Sequence, residues 1–329
     1  MWNPSMRTAA ATIVWLVAAI ARGAGEPGRV QRRCDVELIV LGVAQDAGAP
    51  QIGNPRDPAW ADSKLARLAT SLGLLDYRQG TRYLFEATPD LRVQLQRLDE
   101  HAPHAGPGLG LDGIFLTHAH IGHYAGLMFL GHESAGAAGI PIYAMPRMRG
   151  FLQSNGPWDQ LVRYNNIVLR SIEAQKEVVI GEKLTVTPYL VPHRDEYSET
   201  VGFVISGPTG SVLFLPDIDS WDRWRDEHGI SIEDMIRRVD VAFVDATFHD
   251  DHELPGRDMS RVPHPRIVES MRRFAEMDAA DRSKVRFIHL NHTNAARFEN
   301  SPAHREIEQR GYRVAREGEI VCLACRDPE

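Results

Sequence analysis

Three histidines lie within six residues in the segment His118-Ala119-His120-Ile121-Gly122-His123, directly after an apolar run. Side chains two residues apart in an extended segment point to the same side. His118 and His120 can therefore hold one metal ion, while His123 faces a neighbouring position. Neutral imidazole is a common zinc ligand and also suits iron and other transition metals. The spacing predicts a metal site, in preference to a surface cluster of histidines.

Further side chains with metal-binding groups follow three other apolar runs. His193 comes after residues 184–191, Asp217 after residues 212–216, and His292 after the run that begins at Val285. Loops at strand ends on a rigid scaffold are where metal ligands are usually found. We therefore expect these residues to join the histidine segment at one edge of stacked sheets.

The order of these residues resembles the signature of the metallo-β-lactamase superfamily, His-x-His-x-Asp-His followed by a His, an Asp and a His at strand ends. The resemblance runs from about residue 35 to the C-terminus. It implies an α/β fold, the four-layer αββα sandwich. It also implies the following ligands: His118, His120 and His193 at a first metal, His123 and His292 at a second, and Asp217 bridging both. His289 flanks the same strand end as His292 and is its competitor; His292 is preferred because it lies past the apolar residues.

Gly122 departs from this signature, because the superfamily has an aspartate there that ligates the second metal. Three outcomes stay open: the second ion binds weakly, another acid substitutes, or the protein works with one metal. Asp46, after the first strand, and Asp195, two residues beyond His193, are candidate substitutes. Each can equally be a solvated loop carboxylate.

Within the superfamily, three segments resemble the branch named after pyrroloquinoline-quinone biosynthesis protein B. They are residues 40–51, 85–90 and 289–294. Biosynthetic members of that branch tend to lack the first two histidines and to keep the aspartate, and they carry a cysteine cluster where this chain reads Gln51-Ile52-Gly53-Asn54-Pro55. The branch is therefore a guide to shape more than to chemistry.

The ligands imply a hydrolytic mechanism. A metal held by three imidazoles keeps a position for water and lowers its pKa, which makes hydroxide available. We predict an exported metal-dependent hydrolase that uses this hydroxide on an ester, lactone, amide or phosphodiester, with Asp217 as the catalytic carboxylate. One or two zinc ions are expected, with iron or manganese as alternatives. His264 is a candidate proton donor, and Asp195, Glu196 or Asp219 can hold the second nitrogen of an imidazole.

Two other functions compete with hydrolysis. An iron-dependent oxidative enzyme of cofactor or peptide maturation is what the branch name suggests. A non-catalytic metal-binding accessory protein is favoured by Gly122. Iron content with oxygen-dependent turnover would identify the former, and tight metal binding without hydrolysis the latter.

The N-terminus reads as an export signal. Arg7 precedes the 13-residue apolar run 9–21, which is too short to span a bilayer and ends in the small-x-small pattern Ala19-Ile20-Ala21. We predict a signal peptide over 1–21, a linker over 22–34 and one domain over 35–329. The mature protein would be periplasmic or secreted, without a stable membrane anchor.

Composition disfavours nucleic acid as a partner. The net charge is −7 and no basic block occurs, so nucleic-acid binding is not expected and a small-molecule substrate is. The three cysteines, Cys34, Cys322 and Cys325, are too few for a zinc knuckle; they are predicted to be incidental, with one disulfide feasible in an oxidising compartment.

Alternating elements without repeats are predicted along the chain. Strands are expected near residues 36–43, 82–87, 112–116, 140–144, 184–191, 201–206, 211–216, 240–246, 285–291 and 319–323. Helices are expected near residues 122–132, 146–154, 231–238, 264–277 and 302–310. Long loops over 49–62 and 250–265 are expected at the mouth of the site.

Overall fold

The first strand, β1 (Cys34–Gly42), is buried on both faces in the computed structural model, which describes residues 34–325. Side chains alternate along a strand. Val36 and Leu38 accordingly pack in a core between two sheets, while Ile39 and Leu41 pack in a second core under helices. A strand that is apolar on both faces must lie in an inner layer.

The first sheet has seven strands, of which the other six are β2 (Ser71–Asp76), β3 (Thr81–Phe85), β4 (Gly113–Phe115), β5 (Ile140–Ala144), β6 (Ile167–Ser171) and β14 (Ile320–Cys325). Their order is β14-β1-β2-β3-β4-β5-β6. The pairs from β14 to β3 are antiparallel, and those from β3 to β6 are parallel.

The second sheet repeats this arrangement. Its strands are β7 (Val178–Gly181), β8 (Leu184–Leu190), β9 (Val201–Ser206), β10 (Ser211–Leu215), β11 (Val241–Asp245), β12 (Val285–Ile288) and β13 (Arg313–Val314). Their order is β13-β12-β11-β10-β9-β8-β7, with parallel pairs from β13 to β10 and antiparallel pairs from β10 to β7.

Helices cover the outer face of each sheet. They are α1 (Leu91–His101), α2 (Ile121–Tyr124), α3 (Pro146–Ser154), α4 (Trp158–Arg163), α5 (Trp221–His228), α6 (Ile232–Arg238), α7 (Ile267–Arg273), α8 (Ala279–Lys284) and α9 (Pro302–Gln309). Short 3-10 turns lie at Pro58–Trp60, Ser63–Leu65, Ala125–Leu130, Met259–Arg261, Phe274–Glu276 and Ala295–Arg297. Leu98 of α1 and Leu152 of α3 pack on the first sheet, and Trp224 of α5 and Ile307 of α9 on the second. The predicted αββα sandwich is confirmed.

Aromatic rings between the sheets fix the strand that carries the histidine segment. The ring of Phe115, at the end of β4, stacks on Tyr143 at 4.3 Å and on Phe85 at 5.2 Å, and it meets the edge of Phe203 from the second sheet. Burying each such side chain contributes about 2–3 kcal/mol. The chain that leaves β4 therefore starts from a well-packed point.

The predicted signal peptide and most of the predicted linker fall outside the described residues. Between residues 34 and 325, no helix has the length and apolar character needed to cross a membrane. Cys34 forms a disulfide with Cys322, and Cys325 is an exposed free thiol. The disulfide links β1 to β14, so two of the three cysteines have a structural role.

Candidate metal centre

The chain brings its metal-binding side chains together at one edge of the two sheets. Strands β4, β8 and β10 end there, and the residues that follow them include His118, His193 and Asp217. The loop after β1 reaches the same edge, where Gln45 N donates to Leu290 O at 2.9 Å in the segment that follows β12. The site is thus built from loops that leave buried strands, as predicted.

The first group contains His118, His120, His193 and Asp217. His120 Nδ1 lies 2.8 Å from His118 Nε2 and 3.1 Å from His193 Nε2. Asp217 Oδ2 lies 3.3 Å from His193 Nε2 and 3.6 Å from His118 Nε2. Ligands of a tetrahedral zinc ion lie about 3.3–3.6 Å apart. The two distances to Asp217 fall in this range and the two between imidazoles are shorter, so the four atoms converge closely enough to share one ion.

The other nitrogen of each imidazole in this group has its own partner. His118 Nδ1 is hydrogen-bonded to Thr117 Oγ1 at 2.9 Å, and His120 Nε2 to Glu196 Oε2 at 3.1 Å. His193 Nδ1 is hydrogen-bonded to Asp219 Oδ1 at 2.8 Å. Such partners orient an imidazole and fix its tautomer for metal binding.

The second group contains Asp46, His123 and His289. Asp46 Oδ1 lies 3.3 Å from His123 Nε2 and 3.8 Å from His289 Nε2, and Asp217 Oδ2 is 3.7 Å from His123 Nε2. The Nε2 atoms of His123 and His289 are buried without a hydrogen-bond partner in the described part of the chain. Buried polar atoms without partners are costly. A cation bound among them would remove that cost, so the residues fit a metal.

Glu86 and Thr247 hold the outer nitrogens of this second group. Glu86 Oε1 lies 3.3 Å from His123 Nδ1, and Thr247 Oγ1 is hydrogen-bonded to His289 Nδ1 at 3.0 Å. Glu86 is fully buried and occupies a left-handed conformation with a φ of 77°. Sequence analysis named neither residue as part of the site.

Gly122 and Asp46 are in direct contact. A Cβ atom at Gly122 would lie 2.3 Å from Asp46 Cα and 2.6 Å from Asp46 Oδ1. The side chain of Asp46 therefore fills the space in which a larger residue at position 122 would begin. Of the two candidate substitutes for the missing aspartate, Asp46 is beside the second group.

His292 and Asp195 lie elsewhere. His292 Nδ1 is hydrogen-bonded to Asn54 Nδ2 at 3.0 Å, and neither group includes His292. The physical reason is that β12 ends at Ile288, three residues earlier than predicted, and a φ of 68° at His289 leaves its imidazole in the second group. The preference for His292 over His289 is thus reversed. Asp195 pairs instead with Arg147 at 3.1 Å, and its side chain is 69% exposed.

A third group surrounds the outer oxygen of Asp217. His264 Nδ1 lies 2.8 Å from Asp245 Oδ2 and 3.1 Å from Asp217 Oδ1. Asp245 is fully buried and also accepts hydrogen bonds from Ile218 N and Thr247 N. Asp245 was not predicted as part of the site. Its position resembles that of Asp217, because Asp245 ends one apolar strand and Asp217 follows another.

Burial and neighbouring charges shift the pKa values of several groups in this site. Burial lowers the pKa of His118 well below its usual value, with the neighbouring His123 adding to the effect, so its imidazole is neutral. Burial opposes ionisation of Asp46, but the imidazoles of His123 and His289 outweigh it and hold the pKa of Asp46 well below its usual value. Burial also disfavours the charged form of His264, yet Asp245 and Asp217 raise its pKa to about 10. Burial also disfavours the charged form of His123, but Glu86 and Asp46 raise its pKa well above the usual value, so its imidazole carries a proton. A metal that binds His123 must displace this proton, because only a neutral imidazole binds metal.

Proteins with established names resemble this chain over most of its length. Residues 81–290 match the family described as the Beta-lactamase superfamily domain. Coenzyme PQQ synthesis protein B of Ruegeria pomeroyi is 25% identical over 314 residues, which cover 87% of this chain and 100% of that protein. The protein of the same name from Methylobacterium nodulans is 26% identical over 326 residues, covering 88% and 100%.

Solved structures share the fold. Zn(2+)-bound PqqB from Methylobacterium extorquens superimposes with a TM-score of 0.71 at 22% identity, covering 87% of this chain and 100% of that one. A diphosphatase from the PhnP family superimposes with a TM-score of 0.59 at 20% identity, covering 87% and 96%. At these identities the likeness extends to the fold and no further.

Proposed function

The chain belongs to the β-lactamase superfamily, and from this membership and the geometry of its site we propose that it is a metal-dependent hydrolase of small molecules. The observation that carries the proposal is the convergence of His118 Nε2, His120 Nδ1, His193 Nε2 and an Asp217 oxygen within 4.8 Å of one another. A cluster of histidines that merely packs would not aim its nitrogens at one point while holding each ring from outside.

Two sets of residues would hold metal. The first site consists of His118, His120 and His193, and the second of Asp46, His123 and His289, with Asp217 between them. His289 would take the place predicted for His292, and Asp46 would supply the carboxylate that is missing at Gly122. The donor set of imidazoles and carboxylates suits zinc, with iron or manganese as alternatives.

Hydrolysis needs an activated water and a stabilised leaving group. A divalent metal bound here would polarise the substrate oxygen and lower the pKa of water. Asp217 Oδ2 is within 3.7 Å of imidazoles from both sites, a position from which it can orient the attacking water. The scissile bond belongs to an ester, lactone, amide or phosphodiester.

His264 is positioned to supply the proton for the leaving group. Its Nδ1–H is held between Asp245 and Asp217, which fixes the ring. In the described part of the chain its Nε2 has no hydrogen-bond partner, and the residue lines the cavity beside the site. His264 Nε2–H can therefore donate to a departing oxygen or nitrogen.

The decisive experiment measures metal content and hydrolysis in the same samples. We expect zinc-bound wild-type protein to hydrolyse 4-nitrophenyl acetate or bis(4-nitrophenyl) phosphate. We expect a His118→Ala/His193→Ala variant to lose both metal and activity by about 100-fold or more. His132→Ala, which changes an exposed histidine outside the site, is the matched control and should behave like wild type. Metal binding without hydrolysis of either probe would favour the accessory function instead.

The second site has its own test. Asp46→Ala should lower the content from two metal ions per chain to one, because only imidazoles and the shared Asp217 remain there. Asp195→Ala removes a carboxylate that pairs with Arg147 and should leave both ions in place. Two ions per chain in Asp46→Ala would show that another ligand completes the second site.

A second function is favoured by the names of the relatives. Proteins called coenzyme PQQ synthesis protein B match 86–88% of the chain, so an iron-dependent oxidative role in cofactor or peptide maturation is the alternative. Iron in protein purified without added metal, together with oxygen consumption, would establish that alternative.

Export is proposed from the N-terminal signal pattern together with the disulfide. Disulfides persist in oxidising compartments and are rare in the cytosol, and Cys34 and Cys322 form one. Mass spectrometry of protein isolated from the periplasm or medium should find an N-terminus at Arg22. An uncleaved N-terminus would contradict the signal peptide over 1–21.

A further inference from the structure

A cavity of about 450 Å³ lies beside the metal-binding groups. Its lining includes His264, and two more of its residues, Gln45 and Arg194, are the chain neighbours of Asp46 and His193. Clefts of this size accommodate small-molecule ligands. The cavity is therefore the space that a substrate would occupy while its scissile bond lies at the metal groups.

Three arginines line this cavity: Arg194, Arg257 and Arg261. The lining contains no aspartate or glutamate. All three arginines are exposed, and within residues 34–325 none of their guanidinium groups forms an ion pair or side-chain hydrogen bond. Arg194 does not form an ion pair with Glu196; its positive charge lowers the pKa of that carboxyl from a longer distance. Three unpaired arginines thus lie together beside the metal-binding groups of a chain whose net charge is −7.

The adjoining cavity gives the contrast. It shares His264, but two of its three arginines pair with carboxylates: Arg266 Nε donates to Asp251 Oδ1 at 3.0 Å, and Arg273 Nη1 donates to Asp222 Oδ1 at 2.7 Å. The lining of the adjoining cavity contains four acidic residues, whereas that of the cavity beside the metal-binding groups contains none. Positive charge without a neighbouring carboxylate is thus a feature of one wall of the site.

We propose that this arginine wall binds an oxyanion of the substrate, so that the hydrolase acts on phosphorylated or carboxylated small molecules. The inference rests on the proposed hydrolase function and narrows its substrate class. Guanidinium groups match phosphate and carboxylate with paired N–H donors. Phe248, Leu254 and Val262 line the same cavity and offer apolar surface to the remainder of such a molecule.

The arginine wall also offsets the long-range repulsion between this acidic protein and an anionic substrate. The net negative charge of the chain repels anions, whereas a local positive cleft concentrates them and accelerates their binding. This attraction is screened by salt, with a Debye length of about 10 Å at 0.1 M ionic strength. Binding of an anionic probe should therefore weaken as salt is raised, and that of a neutral probe should not.

The test measures binding, so it does not depend on knowing the substrate. The probes are phenylphosphonate and benzoate, which do not hydrolyse, and neutral benzamide, each titrated calorimetrically into metal-loaded full-length protein. We expect Arg257→Gln/Arg261→Gln to raise the Kd of an anionic probe about tenfold or more. Arg194 is left intact because it adjoins the proposed ligand His193. The stronger of the two anions identifies phosphate or carboxylate as the preferred group.

Arg238→Gln/Arg313→Gln is the matched control, because these arginines are exposed, have no ion pair among the described residues and do not line the cavity. It removes the same charge and should change the Kd less than twofold. Equal weakening by both double variants, tighter binding of benzamide than of either anion, or no binding of either anion would overturn the proposal. Metal content is measured in every sample, so loss of the metal site itself, which would contradict the proposed function, is recognised separately.

Discussion

At the scale of single residues, Gly122 determines which element can supply the second carboxylate. A glycine in the helix α2 leaves room for the backbone of Asp46, which approaches to within 2.3 Å of where a Cβ would be. Asp46 itself has a φ of 35°, a left-handed conformation that costs energy in a residue other than glycine. Close approach and strain together indicate that the position of Asp46 is maintained for function.

This contact predicts an unusual result for a glycine-to-alanine change in a helix. Gly122→Ala should destabilise the fold by about 1–3 kcal/mol, because the added methyl meets the backbone of Asp46 rather than a flexible side chain. Gly150→Ala in α3 has nothing within 4 Å of the new atom and should stabilise the protein by about 0.5–1 kcal/mol, the usual helix preference. Urea denaturation of both variants measures the difference. Stabilisation by Gly122→Ala would show that Asp46 moves aside freely.

Glu253 should make the stability of the fold depend on pH. Burial raises the pKa of Glu253 to about 7, although Thr293 Oγ1 and His249 N both donate hydrogen bonds to its carboxylate. Its pKa in the unfolded chain is 4.5. The folded state retains the proton of Glu253 to a higher pH than the unfolded chain does. The resulting contribution to the free energy of unfolding is therefore complete below pH 4.5 and is lost as pH rises through about 7.

Glu253→Gln should remove this dependence. Relative to wild type, the free energy of unfolding of the variant should increase by about 1–3 kcal/mol between pH 4.5 and pH 8, since glutamine never ionises. Urea titrations at the two pH values measure the change. Glu276→Gln, an exposed glutamate, is the control. A variant that tracks wild type at both pH values would mean that the carboxyl of Glu253 ionises normally.

At the scale of elements, the sequence predicts strands and their ends better than the turns between them. All ten predicted strands are present, since their apolar runs place buried side chains in the cores on the two sheets. The predicted strand near 285–291 is three residues too long. Because this prediction counted His289 as part of the strand, His292 was preferred as the residue that reaches the site. The left-handed conformation of His289 has no signature in a single sequence.

Elements with mixed signals were missed. Strand β2 contains Gly73, where a Cβ would lie 2.8 Å from Leu98 Cδ1; the glycine is required by packing but weakens the strand pattern. Helix α1 was not predicted, although Leu91, Leu95 and Leu98 have helical spacing and line one core. The predicted helix over 122–132 is a short α-helix followed by the 3-10 turn Ala125–Leu130.

The disulfide between β1 and β14 gives a prediction at this scale. Replacing Cys34 and Cys322 together by serine should lower the free energy of unfolding by about 2–5 kcal/mol, because the bond restricts the unfolded chain. Both must be replaced, since Cys34 is also the cross-strand partner of Cys325, whose Sγ lies 3.0 Å from that of Cys322. Cys325→Ser is the control and should change stability by less than about 0.5 kcal/mol. Guanidinium denaturation under non-reducing conditions compares the variants.

At the scale of the whole molecule, the layered fold could be predicted from the sequence, but the contacts between distant segments of the chain could not. The αββα sandwich was expected because the order of the histidines resembles the metallo-β-lactamase signature. Asp46 meets His123 and His289, which lie 77 and 243 positions further along the chain. Such contacts depend on the registers of both sheets, which a single sequence does not specify. The candidate ligands His118, His120, His123, His193 and Asp217 were therefore predicted from the sequence, whereas Asp46 and His289 were named only as alternatives.

The same convergence predicts that the stability of the whole fold depends on metal. His118, His123, His193 and His289 are buried around carboxylates of the site, and an ion that binds only the folded state stabilises it by about 2.7 kcal/mol at a free concentration 100 times its Kd. Chelation with EDTA should therefore lower the Tm, and added zinc should restore it. The effect should weaken as the pH falls, because imidazoles bind metal only when unprotonated. His118→Ala/His193→Ala should lose most of the zinc-dependent shift, whereas His132→Ala should keep it. A wild-type Tm that does not respond to chelation or zinc would mean that the buried site is held by protons and hydrogen bonds alone, and both the hydrolase and its oxidative alternative would then have to be abandoned.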